Sequence, residues 1–352
     1  MLAACHGTGY DSSPWCVKAK YLGVLISLSV LAGITLSLRI SSASCTDYES
    51  HLRLAGGVQT QLPAQAVALQ GSLAYVAETW PGGNPASGFQ VIDISNPASP
   101  IILGTLAAPL SFATDVRVSG SFAYVADAHG LYVIDVSNPG SPTIVGSLNT
   151  PKPGRGLALS GSYVYFCAGD AGLFLIDISN PATPILVSSV NIPAGDVALS
   201  GSYAFVARFL GLTVVDVSNP VLLTIAADLD MPDYIYALDI AVSGVQAYMV
   251  DLDGFQVIDI SNPLTPVLQG SVITTNQTRA IAISGNLAYL AETDLGVQVF
   301  DVTNPLSPTL INGLDTSGEA HGIQVSGSYA YVADFTGGQH HRRHKPRPSS
   351  HR

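Results

Sequence analysis

The sequence predicts an all-β fold, a seven-bladed β-propeller of four-stranded antiparallel blades whose last blade is incomplete, its third strand missing. Three observations carry that expectation. An aliphatic strand ending Asp-aliphatic-Ser/Thr-Asn-Pro is written six times, with Asn96, Asn138, Asn180, Asn219, Asn262 and Asn304 spaced 42, 42, 39, 43 and 42 residues apart. A period near 40 over most of a chain marks a repeat architecture. Both faces of the strands carry apolar or small residues, so each sheet needs cover on both sides, which sheets stacked around an axis supply. Strand-like segments number 27, one short of the 28 that seven such blades require.

Residues 1–45 read as a leader. Lys18 and Lys20 precede an uncharged aliphatic run over residues 22–38, and Ser41-Ser42-Ala43-Ser44 follows it. That is the order of a secretory signal. It predicts an exported protein: secreted, periplasmic or at the cell surface, touching a membrane only through the leader as an anchor or through lipidation at Cys45. Ser42 stands where a lipoprotein signal prefers Leu, so ordinary cleavage nearby is the simpler reading. Val17-Lys-Ala-Lys-Tyr-Leu makes an ordinary signal start, which predicts that residues 1–16 lie ahead of the true initiator.

Residues 46–338 form the repeat body. The chain is 47% hydrophobic and 11% charged, enough for a large core. Of the 14 basic residues only 6 lie between residues 46 and 339, against 24 of the 25 acidic ones. A body so acidic repels phosphate backbones and anionic membranes, which excludes nucleic acid as a partner. Cys5 and Cys16 fall in the leader, and Cys167 stands where neighbouring repeats carry Ala126 and Ala207. These cysteines predict no disulfide framework, and Cys167 reads as a small buried hydrophobe.

Residues 114–150 show the unit. Asp115–Ser119 alternates as a first strand, Gly120-Ser121 turns, and Phe122–Asp127 is the second. After Ala128-His129-Gly130, residues 131–136 make the third. Ser137-Asn-Pro-Gly-Ser-Pro142 turns by Asn and Pro chemistry into a fourth over residues 143–148. The first hairpin occurs seven times, and third and fourth strands follow six of them. Residues 54–60 resemble a fourth strand with nothing ahead of it, so the ring is expected to close by this strand completing the last blade. After Asp334-Phe-Thr-Gly-Gly338 a third strand is due. Residues 339–352 instead form a His- and Arg-rich tail without strand pattern, read as disordered.

The third strands, Leu131-Tyr-Val-Ile-Asp135, Leu173-Phe-Leu-Ile-Asp177 and Phe255-Gln-Val-Ile-Asp259, resemble the LVIVD repeat family over roughly residues 51–338. The resemblance implies a propeller-like exported or cell-surface protein of prokaryotic type. It implies no reaction and no catalytic residue.

Chemistry is hard to place in such a regular text. The column Asp93, Asp135, Asp177, Asp216, Asp259 and Asp301 recurs before every Ser/Thr-Asn-Pro, so it reads as a set of turn-formers accepting backbone N–H bonds. Entries to first strands and exits from second strands share one end of the ring. There the residues vary: Asp115, Arg155, Asp196, Asp239, Arg279 and His321 at the entries, and Asp127, Arg208, Asp251 and Glu292 at the exits, with Glu78 and Asp334. This mixed-charge ring is the candidate ligand-binding face. Asp251-Leu-Asp253-Gly254 imitates the start of a calcium loop, but strand follows where further ligands are due. No metal site, no cofactor and no catalytic residue is predicted. The expectation is a non-enzymatic scaffold binding a protein, glycan or envelope component at this face. The alternative is a propeller hydrolase or lyase, metal-assisted, which requires two carboxylates, or a His and a carboxylate, converging beside a pocket at the channel mouth; a scaffold is expected to show these groups paired off and the channel filled.

Overall fold

A computed structural model of the chain describes residues 2–6, 52–79, 88–107, 110–231, 237–316 and 318–335. The apolar run of the leader, Cys45 and the basic tail lie outside them. The described residues are all β, with no helix among them. The chain starts with β1 (Leu2–His6) and β2 (Arg53–Val58). Blade one is β3 (Ala64–Gln70), β4 (Leu73–Glu78), β5 (Gly88–Asp93) and β6 (Ile101–Ala107). Blade two is β7 (Asp115–Ser119), β8 (Phe122–Asp127), β9 (Gly130–Asp135) and β10 (Thr143–Asn149); blade three is β11 (Leu157–Ser160), β12 (Tyr163–Cys167), β13 (Leu173–Asp177) and β14 (Ile185–Val190). Blade four is β15 (Asp196–Ser200), β16 (Tyr203–Arg208), β17 (Gly211–Asp216) and β18 (Thr224–Asp230). Blade five is β19 (Asp239–Ser243), β20 (Gln246–Asp251), β21 (Gly254–Asp259) and β22 (Val267–Ile273). Blade six is β23 (Thr278–Ser284), β24 (Leu287–Glu292), β25 (Gly296–Asp301) and β26 (Thr309–Leu314). The chain then makes one more hairpin, β27 (Glu319–Ser326) and β28 (Tyr329–Phe335).

Six blades are therefore complete. Among the described residues the C-terminal part of the seventh unit has two strands, β27 and β28. The two places beside it are taken from the start of the chain, in the order β2-β1-β28-β27. The outer place of β2 is the expected one. The presence of β1 in the third place is not, because the sequence reading sets residues 1–16 ahead of the initiator; a chain starting at Val17 would lack this strand. In every complete blade the third and fourth strands pair with one bulge, as between Val91 and Ile92 or Val257 and Ile258. β1 and β2 repeat it between Ala4 and Cys5.

The first strands β3, β7, β11, β15, β19, β23 and β27 touch one another in a cycle that returns to β3. Core clusters lie between neighbouring blades, such as Phe89 and Val91 with Val116 and Ile134. Burial of each such side chain stabilises by roughly 1.5–3 kcal/mol. Tyr331 and Ala333 of the last hairpin pack in the same way against Val67 and Ile92 of blade one.

At the rim, glycine sets the spacing between blades. A Cβ on Gly104, Gly146 or Gly270 would stand 2.3, 2.1 or 2.2 Å from the carbonyl oxygen of Pro139, Pro181 or Pro305 in the next blade's Asn-Pro turn. Gly56 of β2 meets Pro97 of blade one in the same manner, at 2.6 Å. Blade three has Ser188 at this position, whose hydroxyl donates to the Pro220 carbonyl at 2.8 Å. The turns themselves are held by the aspartate column: Asp93, Asp135, Asp177, Asp216, Asp259 and Asp301 each accept the N–H two residues on, at 2.7–2.9 Å. These hydrogen bonds, from Ser or Thr backbone and side chain, hold all six carboxyls below the usual range. The structural reading of this column stands.

Candidate functional site

Because the first strands run nearest the axis, their side chains and the loops that feed them wall a channel, and it is open, where the scaffold expectation has it filled. A cavity of about 770 Å³ lies at its varied end, within the size range of small-molecule sites. Six of the predicted site residues line it together: Asp115, Arg155, Asp196, Asp239, Arg279 and His321. The other four do not. They sit at the same end, but alternation along the strands turns them into the blades.

Asp127 is fully buried and accepts the N–H groups of Ser111, Phe112 and His129 at 2.9–3.1 Å, tying the loop before its own blade. Asp251 accepts the Asp253 N–H and the Gln256 side-chain amide, both at 2.7 Å. The calcium-loop resemblance is thus a strand-connecting turn. Arg208 pairs with Asp230 and Asp228 on the outer strand of its own blade. Glu292 is fully buried, and neither carboxylate oxygen has a hydrogen-bond partner. Burial pushes it up to about 7. Glu78, at the equivalent place in blade one, is also pushed up to about 7 by burial, with the Leu62 N–H at 3.2 Å working against the rise.

Within the cavity the aspartates join adjacent blades. Asp115 Oδ2 accepts the Leu157 N–H of blade three at 2.9 Å. Asp196 Oδ2 accepts the Ile240 N–H of blade five at 3.1 Å, and Asp239 Oδ2 accepts the Ile281 N–H of blade six at 2.8 Å. Asp239 Oδ1 also accepts the Ile240 N–H, at 2.8 Å, so two carboxylates converge on one amide. Arg117, two residues along β7 from Asp115, forms an ion pair with it. Burial opposes the Arg117 charge, and Asp115, Asp196 and Asp239 outweigh burial, holding its pKa above the ordinary value.

The opposite wall differs. His321 meets Gln65 at 3.1 Å and Glu319 at 3.4 Å and stacks on Phe335 with ring centres 4.7 Å apart. Burial first, then the Arg279 charge, bring it down to about 4, so it is neutral at physiological pH. Arg155 stands exposed at the mouth beside Asp170. A second recess of about 540 Å³ opens at the same end beside blades five and six, lined by Asp253, Asn276, Arg279, Asp294 and Glu319. Among the described residues no three His, Cys, Asp or Glu side chains gather as a metal site requires. Arg117 escaped the sequence reading, although it is the single charged residue inside a first strand two places from an entry aspartate.

Seven consecutive segments, residues 63–107, 112–150, 154–192, 193–229, 236–274, 276–316 and 317–338, match the model of the LVIVD repeat. The chain belongs to the LVIVD repeat family. No curated protein matches this LVIVD-repeat chain. Solved structures share its fold at low identity. A putative 6-phosphogluconolactonase from Bacteroides uniformis is 16% identical with a TM-score of 0.63, covering 73% of this chain and 88% of its own. The computationally designed Ika8 protein is 14% identical, with a TM-score of 0.56 over 78% and 97%. BamB from Moraxella catarrhalis is 14% identical, with a TM-score of 0.53 over 82% and 88%. At such identities these likenesses show the fold alone.

Proposed function

We propose that this LVIVD-repeat protein is a non-enzymatic, exported binding module that takes part of a protein, glycan or envelope component into the mouth of its channel. The observation that carries the reading is the open cavity of about 770 Å³ with a mixed-charge lining supplied by six blades' worth of variation at one end of an otherwise regular ring. Regular positions, such as the aspartate column, are consumed by folding; six of the irregular ones meet in one place. Export rests on the leader, and fractionation of cells making the tagged full chain tests it: retention in the cytosol contradicts it. The reading includes a ring of seven blades, closed by β1 and β2 beside β27 and β28. Glycan and peptide arrays probed with the full chain test the binding reading. Ligands are expected to be retained by Arg208→Gln and lost by Arg155→Glu and Arg279→Glu; loss in none of the cavity variants contradicts it.

A hydrolase or lyase is the second reading, because Asp196 and Asp239 meet the criterion of two carboxylates converging beside a pocket. Weighing against it, Asp239 accepts a backbone N–H on each oxygen and Asp196 on one, so both carboxylates also serve to join neighbouring blades. The fold does not choose: the similar structures include a putative 6-phosphogluconolactonase and a computationally designed protein.

A further inference from the structure

Aspartate occupies the equivalent first-strand position in only three blades. Asp115, Asp196 and Asp239 stand where the other blades carry Ala66, Gly156, Ala280 and Gly322. Asp115 is answered by Arg117. Asp196 and Asp239 both accept the Ile240 N–H, at 3.1 and 2.8 Å, and Asp239 also accepts the Ile281 N–H at 2.8 Å; neither forms an ion pair within 4 Å among the described residues, and Arg117 acts on them only at longer range. Asp196 is 4% exposed, and its Oδ1 has no hydrogen-bond partner. That oxygen lies over Gly156, where any Cβ would come within 2.0 Å of it. Two backbone amides, and one guanidinium already paired with Asp115, do not balance the three carboxylates Asp115, Asp196 and Asp239, so the pair is short of positive charge.

We propose that Asp196 and Asp239 are the receptor for a protonated aliphatic amine on the channel's ligand, an inference that rests on reading the channel as the binding site. An ammonium group brings three donors and one positive charge, which answers both the orphan Oδ1 and the charge deficit. Ala194, Ala237 and Leu238, which line the cavity with the pair, suit the hydrocarbon stem of such an amine. Without a ligand a proton takes the same role. Burial first, and the Asp239 charge second, push Asp196 well above the carboxylate range. Arg117, held by Asp115, lines the same cavity on the side of blade two, and Arg155 and Arg279 line it as well.

Isothermal titration calorimetry of the full chain at neutral pH with cadaverine, pentanol and pentanoate tests this. Cadaverine is expected to bind and pentanol not. Asp196→Asn and Asp239→Asn are each expected to weaken cadaverine by about tenfold or more, as the loss of a charged hydrogen-bond partner does, while Arg208→Gln, outside the cavity, leaves it unchanged. Equal binding of cadaverine and pentanol, or undiminished cadaverine binding in both asparagine variants, overturns the proposal. Pentanoate binding alone, lost in Arg155→Gln, overturns the amine and keeps the channel as a binding site. Absence of binding by all three probes overturns the amine and counts against the channel as well. Should neither variant fold, the wild-type preference between cadaverine and pentanol decides.

Discussion

Asp135 and Glu292 are both carboxyls at strand ends, and their surroundings push them in opposite directions. Asp135 accepts hydrogen bonds from Ser137 and is held below its ordinary value. Its stabilising contribution is present above the unfolded value and is lost as pH falls through the lowered folded one. Six such turns predict a loss of thermal stability that sets in as pH falls below the ordinary aspartate value of 3.8. Glu292 has a folded value of about 7 against an ordinary 4.5. Its contribution is fully present below the unfolded value and is lost as pH rises from about 4.5 toward about 7. Glu292→Gln is therefore expected to stabilise the protein at pH ~8 by about 2 kcal/mol, after discounting for residual screening by water, and to leave stability in mild acid unchanged; melting curves at the two pH values check this. The aspartate column was legible in the sequence because six copies of one pattern have one local explanation. The Asp196–Asp239 contact was not, because it joins residues 43 positions apart in different blades, and only the sheet register aligns them.

At the scale of the strand, the unit over residues 114–150 reads almost residue for residue. The second strand is observed at Phe122–Asp127 as expected, and the third and fourth agree within a residue or two. Period-2 alternation bounded by Gly, Asn and Pro carries that much information. It carries none about the bulge before Gly146 or about why a glycine follows it. The reason lies in the neighbouring blade, whose Pro181 carbonyl fills the space a Cβ needs. Gly146→Ala and Gly270→Ala are each expected to cost about 1–3 kcal/mol, since backbone and not a flexible side chain must yield. Gly120→Ala meets nothing within 4 Å and carries only the strain of a φ of +60°, about 1–2 kcal/mol. In melting experiments the rim variants are expected to fall at least as far as Gly120→Ala; a Gly146→Ala midpoint equal to wild type would contradict the account of blade spacing.

For the whole molecule, the count of hairpins, the complete first six units and the outer place of β2 were all legible. The third strand of the seventh sheet was not, because Leu2-Ala-Ala-Cys-His6 lacks the Val-Ile-Asp pattern that marks the other six. At the register position where Val91, Val133 and Val257 stand, β1 brings Ala4. β2 reaches the last hairpin only through β1. Deletion of residues 1–16 is therefore expected to lower the unfolding midpoint and to open β2 to protease, and an unchanged midpoint would show that the ring holds without β1.

The central claim is that the channel is open and leads to the paired aspartates. Carbodiimide footprinting of carboxyl groups on the full chain, compared with a Gln324→Trp variant that fills the cavity from β27, tests it most directly. The account predicts that Asp239 is modified in the wild type, that fully buried Asp127 and Asp334 are not, and that the tryptophan slows Asp239 while leaving Asp93 and Asp135, outside the cavity, unchanged. Asp239 as unreactive as Asp127, or equally reactive with the cavity filled, would contradict it.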